Sequence, residues 1–521
     1  MRRFLLLALV FSFAAMAFSA SIPKDTVVIG MNTGIFISFD PAVCYEVEPA
    51  IMVMNIYSGL FKLQEINGTI QAVPELAESY DISQDGKTWT FHIRKGVSFA
   101  NGDPVNADAV VYSVKRVLQL KKSPVWLFES LGLNANNMNE TVKKIDDYTV
   151  QITMDKSYAP NIVMSIFAES WGGIVDPKVA QSHDVSGDMG SAYLADHSAG
   201  AGPYILKSWQ RNNMIVLVAN DKYWRGAPRI KTIIIRDMPE STDQQLALKR
   251  GDIDIAWNLT PEQVNSLKGD PNFNVVSVPA QSNEYLAVNA GWGPFKDVRV
   301  RQAVKYAIDY DSIIKNIAGG YAIKVQGFIP YGYLGYVSDM PFDQNISKAK
   351  ELLAQAGYAN GFEVELVTNT TERRRNEAIA IQADLAKIGI KANITIMQAS
   401  QMYTKMREQG IQMIIAGWGI DFPDPDALAK PFADYRVKQL AWRMMWYDDH
   451  AADLAEAAGF ELNQTKRVEI YKELTNYWFD NGPFAILYQP LSYWGTRAEL
   501  KGFDQTAKGY SLAFDLTKMY K

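Results

Sequence analysis

Residues 362–397 read FEVELVTNTTERRRNEAIAIQADLAKIGIKANITIM. At the start Phe362, Val364 and Leu366 alternate with glutamates, which is the period of a half-buried strand. Residues 376–388 then carry apolar side chains at helical spacing, and Gly389 supplies a C-terminal stop. Residues 392–397 alternate again. Strand, helix and strand in this compass form a βαβ crossover, which demands a parallel sheet with a helix packed on it.

The same alternation extends outward. A helix is expected over 297–308, with Val300, Val304 and Ala307 on one stripe, and another over 346–356, stopping at Gly357. Toward the N-terminus, 26–30, 88–93, 204–206, 215–218 and 230–235 read as strands bounded by polar and Gly/Pro clusters. Gly200 and Gly202 make a tight turn into one of them. No low-complexity linker or fixed-period repeat divides the chain. The fold class is α/β, and 521 residues exceed one ordinary core, so two or three domains are expected.

Composition narrows the function. Hydrophobic residues make up 48% and charged residues 21%, the balance of a globular protein. The net charge of -5 argues against nucleic acid or an anionic membrane as the partner. The first twenty residues differ from the rest. Arg2 and Arg3 precede an apolar run over 4–18, and small residues follow at Ala15, Ala17, Ser19 and Ala20. That order reads as a secretory signal peptide over 1–20, cut after Ala17, Ser19 or Ala20. The run is shorter than the about 20 residues of a membrane span. The single cysteine, Cys44, lies well beyond it, so neither a lipid-anchor cysteine nor an intramolecular disulfide is expected.

Catalytic motifs are not evident. His92, His183, His197 and His450 are not at metal-ligand spacing, and no cysteine cluster accompanies them. Nucleophile-elbow and phosphate-loop patterns are missing. Asp196, His197 and Ser198 are consecutive, and adjacent residues point in different directions, which ill suits a relay. An exported chain without nucleophile, metal site or cofactor loop is expected to bind rather than catalyse, with no cofactor.

Several short motifs, in order and at their spacing, carry a resemblance: YSGL at 57–60, PELA at 74–77, DGKTWTF at 85–91, RKGVSF at 94–99, NGDP at 101–104 and ADAVVYS at 107–113. GPY at 202–204, GDID at 251–254, DVRVRQA at 297–303, GW at 417–418 and DFPDP at 421–425 continue it. Over essentially the whole chain past the signal, the sequence resembles bacterial periplasmic solute-binding proteins of the dipeptide/oligopeptide (peptide/nickel) ABC transporter family. The resemblance implies a bilobal Venus-flytrap clamp of three domains. Domain I would comprise 21–60, 191–285 and 488–521; domain II would be an insertion over 61–190; domain III would span 286–487. It also implies a monomer that encloses a di- or oligopeptide between its lobes in the periplasm and delivers it to the permease subunits at the membrane.

Two loops are the candidate binding elements. The first follows a buried strand over 411–416 and holds Trp418, Asp421, Asp424 and Asp426, with Pro423 and Pro425 stiffening the turn. Ligands of open α/β sheets sit beyond the carboxyl ends of strands. The resemblance implies that Asp421 pairs with the ligand's α-ammonium; the alternative is a solvated acidic turn. Asp424 and Asp426 suit capping of a helix over 427–432. The second loop, 371–375, carries Arg373, Arg374 and Arg375 ahead of a helix N-terminus, where cations oppose the macrodipole and an anion would ease them. The resemblance points to Arg375, with Arg374 next, for the ligand carboxylate; the alternative is a basic face partnered by Glu372 and Glu377. Trp418 is the leading aromatic wall, with Tyr112 and Trp292 behind it. Tyr45 and Glu46, after the first strand, are expected to reach the cleft from domain I. An oligosaccharide or a nickel- or opine-type ligand in the same fold, and an exported peptide-processing enzyme, are the competing functions. The stretch LAWRMMW at 440–446 and the threefold arginine run depart from what the resemblance leads one to expect.

Overall fold

One long strand, Phe484–Arg497, organises the molecule. Its first half pairs antiparallel with Ser282–Val288, and its second half with Phe273–Pro279 and Ile255–Ala256. The two consecutive partners are separated by only Ala280 and Gln281, where the Ala280 amide donates to Pro490 O at 2.9 Å and Gln489 Nε2 donates to Ala280 O at 3.0 Å. A mixed sheet of twelve strands therefore runs continuously through two halves that share this strand. The structure is a computed structural model, and it describes residues 22–506 and 514–521. The signal-peptide reading falls outside the described residues.

On one side of the shared strand lie Ser282–Val288, Met413–Gly419, Phe362–Asn369 and Ile390–Met397. The expected crossover is present: Phe362–Asn369 pairs parallel with Ile390–Met397 from Phe362↔Ile390 to Asn369↔Met397, with the helix Glu372–Ala386 between them. The two strands start so close together that a Cβ on Gly361 would lie 1.8 Å from Gly389 O, and Gly361 has φ +71°. Only glycine satisfies both demands. On the other side lie Thr26–Met31, Thr232–Asp237, Met214–Ala219 and Tyr204–Gln210. Between Thr26–Met31 and Tyr204–Gln210 the chain makes a hairpin, Phe61–Ile66 with Thr69–Pro74, and a separate antiparallel sheet in the order Ala77–Ile82, Thr88–Ile93, Thr149–Thr153, Val142–Asp146. The helix Ala107–Leu120 accompanies this sheet, its start capped by Asn106, which accepts from the Ala109 amide at 3.1 Å. The fold is α/β as expected.

The helix of the crossover begins at Glu372, four residues before the start expected from periodicity. Arg373, Arg374 and Arg375 thus occupy its first turn rather than a loop. The other expected helices form at Val298–Ala307 and Ile346–Gln355, capped by Asp297 and Asn345. Among the described residues three ion pairs are nearly sealed from solvent: Arg116 with Asp40, Arg467 with Asp424, and Lys521 with Asp254. Each joins segments far apart in sequence. Cys44 is buried. Among the described residues no helix is long and apolar enough to cross a membrane.

Candidate functional site

The strand Met413–Gly419 is buried through Ala416 and becomes more open at Gly417 to Gly419. It delivers Trp418 and then Asp421 to the edge of the shared region. Pro423 and Pro425 fix the turn, and Asp424 anchors it below. Asp424 accepts two bonds from Arg467, at 2.5 and 2.7 Å, one from Asn161 Nδ2 at 2.8 Å and one from the Asp426 amide at 2.9 Å. Asp426 pairs with Lys430 at 2.9 Å. Asp424 is therefore spent on the scaffold, whereas Asp426 keeps a buried Oδ1 without a partner and is tied only to Lys430. Among the described residues no group of three or more His, Cys, Asp or Glu is placed to hold a metal ion.

Asp421 remains half-buried at a cavity of about 550 Å³ walled by Tyr45, Trp171, Gln281, Trp418 and Ser492. A second cavity of about 390 Å³ shares Trp418 and Asp421 and continues past Trp126, Tyr158 and Phe460. A third, also about 390 Å³, shares Val47 and Ser492 with the first and runs past Trp257 and Tyr493. The three adjoin one another through these common walls along the shared strand, and this row of cavities, called the trough below, suits an extended ligand. A separate cavity near Tyr57 and Glu75 holds about 90 Å³, room for a few waters.

Three distant segments meet at Asp421. Tyr45 donates its hydroxyl proton to Asp421 Oδ1 at 2.7 Å, and Trp126 Nε1 donates to the Tyr45 oxygen at 3.3 Å. The Tyr45 ring also packs on Trp171, with centroids 5.8 Å apart. Burial pushes the Asp421 carboxyl above the usual aspartate range, while the Tyr45 bond works against that shift. Tyr45 is raised in turn, first by burial and then by the Asp421 charge. Among the described residues no cation lies within ion-pair distance of Asp421. A neutral phenol is its hydrogen-bond partner, and its negative charge faces the trough uncompensated.

Of the residues singled out from sequence, the structure brings Tyr45, Trp418 and Asp421 together. Glu46, Arg374 and Arg375 do not line the trough. Glu46 sits at the start of the helix Val47–Ile56, near the Tyr45 amide at 3.4 Å. Arg374 forms a two-point contact with buried Glu284, and Arg373 reaches the same carboxylate at 3.1 Å. The guanidinium passes so close to the neighbouring strand that a Cβ on Gly417 would lie 2.6 Å from it. Next to this pair, buried Glu377 accepts from Tyr488, and burial plus the Glu284 charge push its carboxyl up to about 7. Arg375 is exposed. Trp292 belongs to the aromatic core, packed on Phe295 and Phe362, and Tyr112 lies near Arg116 on the inserted sheet's helix. His197 pairs with Asp196 at 2.6 Å, whereas Ser198 Oγ accepts from the Leu206 amide.

Sequence reasoning did not find Trp126, Trp171 or Glu284. Neither Trp126 nor Trp171 belongs to a motif that distinguishes it from the core tryptophans. Glu284 lies on Ser282–Val288, nearly ninety positions before its arginines, so no local spacing reveals the pairing.

A family model, bacterial extracellular solute-binding proteins, family 5 Middle, matches residues 71–439. The chain is 29% identical over 503 residues to the probable D,D-dipeptide-binding periplasmic protein of Escherichia coli K12, covering 96% of this chain and 95% of that one. Among solved structures it is similar to HbpA2 from Haemophilus parasuis, with TM-score 0.83, 26% identity and coverage of 95% and 100%. It is also similar to the periplasmic binding protein DppA from Helicobacter pylori in complex with the peptide STSA, with TM-score 0.73, 28% identity and coverage of 95% and 98%. The twelve-stranded sheet is thus the body of a bilobal periplasmic-binding-protein fold, and the chain belongs to the bacterial extracellular solute-binding proteins of family 5.

Proposed function

We propose that this protein captures short peptides with a free α-ammonium group in the periplasm, as a monomer, and delivers them to the permease of an ABC importer without chemically altering them. The observation that carries this reading is Asp421: a half-buried carboxylate with no cationic partner among the described residues, set where both halves of the sheet meet one trough. Water-excluded carboxylates favour a cation, and an ammonium both neutralises the charge and donates the hydrogen bond. The relatives agree in class, one named for D,D-dipeptides and one solved with a peptide. The lobes are taken as 21–60 with 191–285 and 488–521, carrying the insertion 61–190, against 286–487. Two short crossings, at 279–282 and 489–491, would serve as the hinge, which moves the lobe boundaries from 285/286 and 487/488 to these crossings, so that the strand Ser282–Val288 stays whole in the second lobe. A ligand touching Tyr45 on one side and Asp421 on the other favours the closed arrangement by its differential contacts.

The test is thermal shift and calorimetry on refolded protein with di- to pentapeptides, their N-acetylated forms and linear oligosaccharides. Asp421→Asn is expected to weaken free peptides by about 2–5 kcal/mol while leaving the unfolding midpoint of the free protein little changed. Stabilisation by oligosaccharides alone, or equal affinity of variant and wild type for peptides, would overturn the reading.

Acid gives a second check. The folded Asp421 carboxyl titrates above the ordinary value of about 3.9, whereas the peptide ammonium keeps its proton throughout mild acid. Affinity is therefore expected to be level near neutrality and to fall by up to about tenfold per pH unit once the pH drops below that raised value. A profile that stays level to below pH ~3.9 would remove Asp421 from the ligand's charge balance.

A further inference from the structure

Arg443 stands apart from the other inward-turned arginines. Arg116 is paired with Asp40, Arg467 with Asp424, and Arg373 and Arg374 with Glu284. Arg301 lacks a carboxylate but donates to three backbone carbonyls, those of Phe295, Lys296 and Asn481. Arg443 has neither arrangement. It is half-buried at the end of the short helix Leu440–Arg443, and among the described residues no carboxylate lies within ion-pair distance. One terminal nitrogen donates to Gln439 Oε1 at 2.5 Å, and its buried Nε has no acceptor. Burial lowers the pKa of the guanidinium, with the Arg407 charge adding to the shift and the Tyr285 and Tyr403 phenols opposing it.

Its surroundings say where compensation would come from. The guanidinium carbon lies 5.8 Å from the centre of the Trp418 ring. Trp418 Nε1 is likewise buried without an acceptor. Trp418 and Gln439 both wall the cavity that Asp421 shares. Two unsatisfied donors, the Arg443 Nε beside the Trp418 ring and that ring's own Nε1, thus lie at a wall of the cavity that the uncompensated Asp421 carboxylate also lines. A buried donor left unpaired is costly, and a carboxylate is the group that satisfies a guanidinium and a neighbouring N–H together.

We propose that Arg443, supported by Trp418 Nε1, receives a carboxylate of the ligand, so that the trough selects zwitterions carrying an ammonium for Asp421 and a carboxylate for Arg443 on either side of one tryptophan. This rests on the peptide reading above. It places the anion site on the segment after the acidic turn and away from the first turn of the helix Glu372–Ala386, where Arg374 is committed to Glu284.

Calorimetry with trialanine and trialanine amide on three proteins tests it. The wild type is expected to bind the acid about 30-fold or more tighter than the amide, the scale of losing one partner of a buried charge pair. Arg443→Gln should collapse that ratio to within about threefold while leaving amide affinity nearly unchanged, and Arg443→Lys should restore part of it. A merely structural role, orienting Trp418 through its ring, would weaken acid and amide alike and so overturn the proposal. It is also overturned if Arg443→Gln keeps the full acid preference, or if Lys156→Ala, at the exposed lysine of the same cavity, abolishes it instead. These outcomes leave the peptide reading standing. Binding of neither form to the wild type fails the peptide reading itself and this inference with it.

Discussion

Replacing Asp424 by asparagine is expected to lower the unfolding free energy by about 3–5 kcal/mol, read as a drop in the urea midpoint at unchanged slope. The side chain is isosteric, so the loss is electrostatic. Arg467 is 2% exposed, with both terminal nitrogens on Asp424, Nε on Ala458 O at 2.7 Å and a further bond to Tyr471 at 2.8 Å. Without the carboxylate a desolvated guanidinium remains, and the new amide must aim one of its groups at it. Burial works against ionisation of Asp424, but the Arg467 guanidinium outweighs it and holds the carboxyl below the usual range. The sign follows: a depressed folded pKa gives stability that is present above the unfolded value and lost as pH falls through the folded one. The variant should therefore be weaker than wild type at neutral pH, with the gap narrowing in strong acid. A variant as stable as wild type at pH 7 would show that the pair contributes nothing. Because Asp424 pins the turn that carries Asp421, ligand affinity should fall as well, although Asp421 itself is untouched.

This pair also marks the limit of what the sequence discloses. The acidic turn was legible: two prolines, three aspartates and a preceding buried strand place a rigid polar loop at a strand's carboxyl end. That Asp424 turns away from the cavities is decided by Arg467, 43 positions away, and by Asn161 from the inserted unit. Local spacing encodes neither contact. The arginine run shows the same boundary. Three cations at a helix N-terminus oppose its dipole, so periodicity placed the start later and left them in a loop. The chain forms the helix from Glu372 anyway, because Glu284 arrives from another strand to neutralise Arg373 and Arg374. By contrast, the βαβ unit, the Asp297-capped helix and the strand Thr88–Ile93 depend on near neighbours and a face to bury, and these were readable directly. Trp292 and Trp418 look alike in sequence; packing against Phe295 and Phe362 assigns the first to the core.

The second large effect is expected at Arg116. Its terminal nitrogens donate to Asp40 at 2.6 and 2.7 Å and its Nε to Met189 O at 2.9 Å, with the two side chains 1% and 0% exposed. Arg116 stands on the inserted unit's helix, and Asp40 on the segment that leads to Tyr45. Arg116→Met should cost about 3–5 kcal/mol, because Asp40 would keep Ser191 Oγ at 2.7 Å and the Ala42 amide at 3.0 Å but no opposite charge. Adding Asp40→Asn to that variant removes the stranded charge, so the double variant is expected to be less destabilised than the two single losses summed, and to recover part of the Arg116→Met deficit. Urea unfolding of the four proteins gives the coupling directly. Strict additivity would mean that the two groups do not sense one another across the unit boundary. Coupling of the expected sign would instead make the pair a fastener whose release frees Tyr45 from register with Asp421, so peptide affinity should fall with stability in Arg116→Met and recover with it in the double variant.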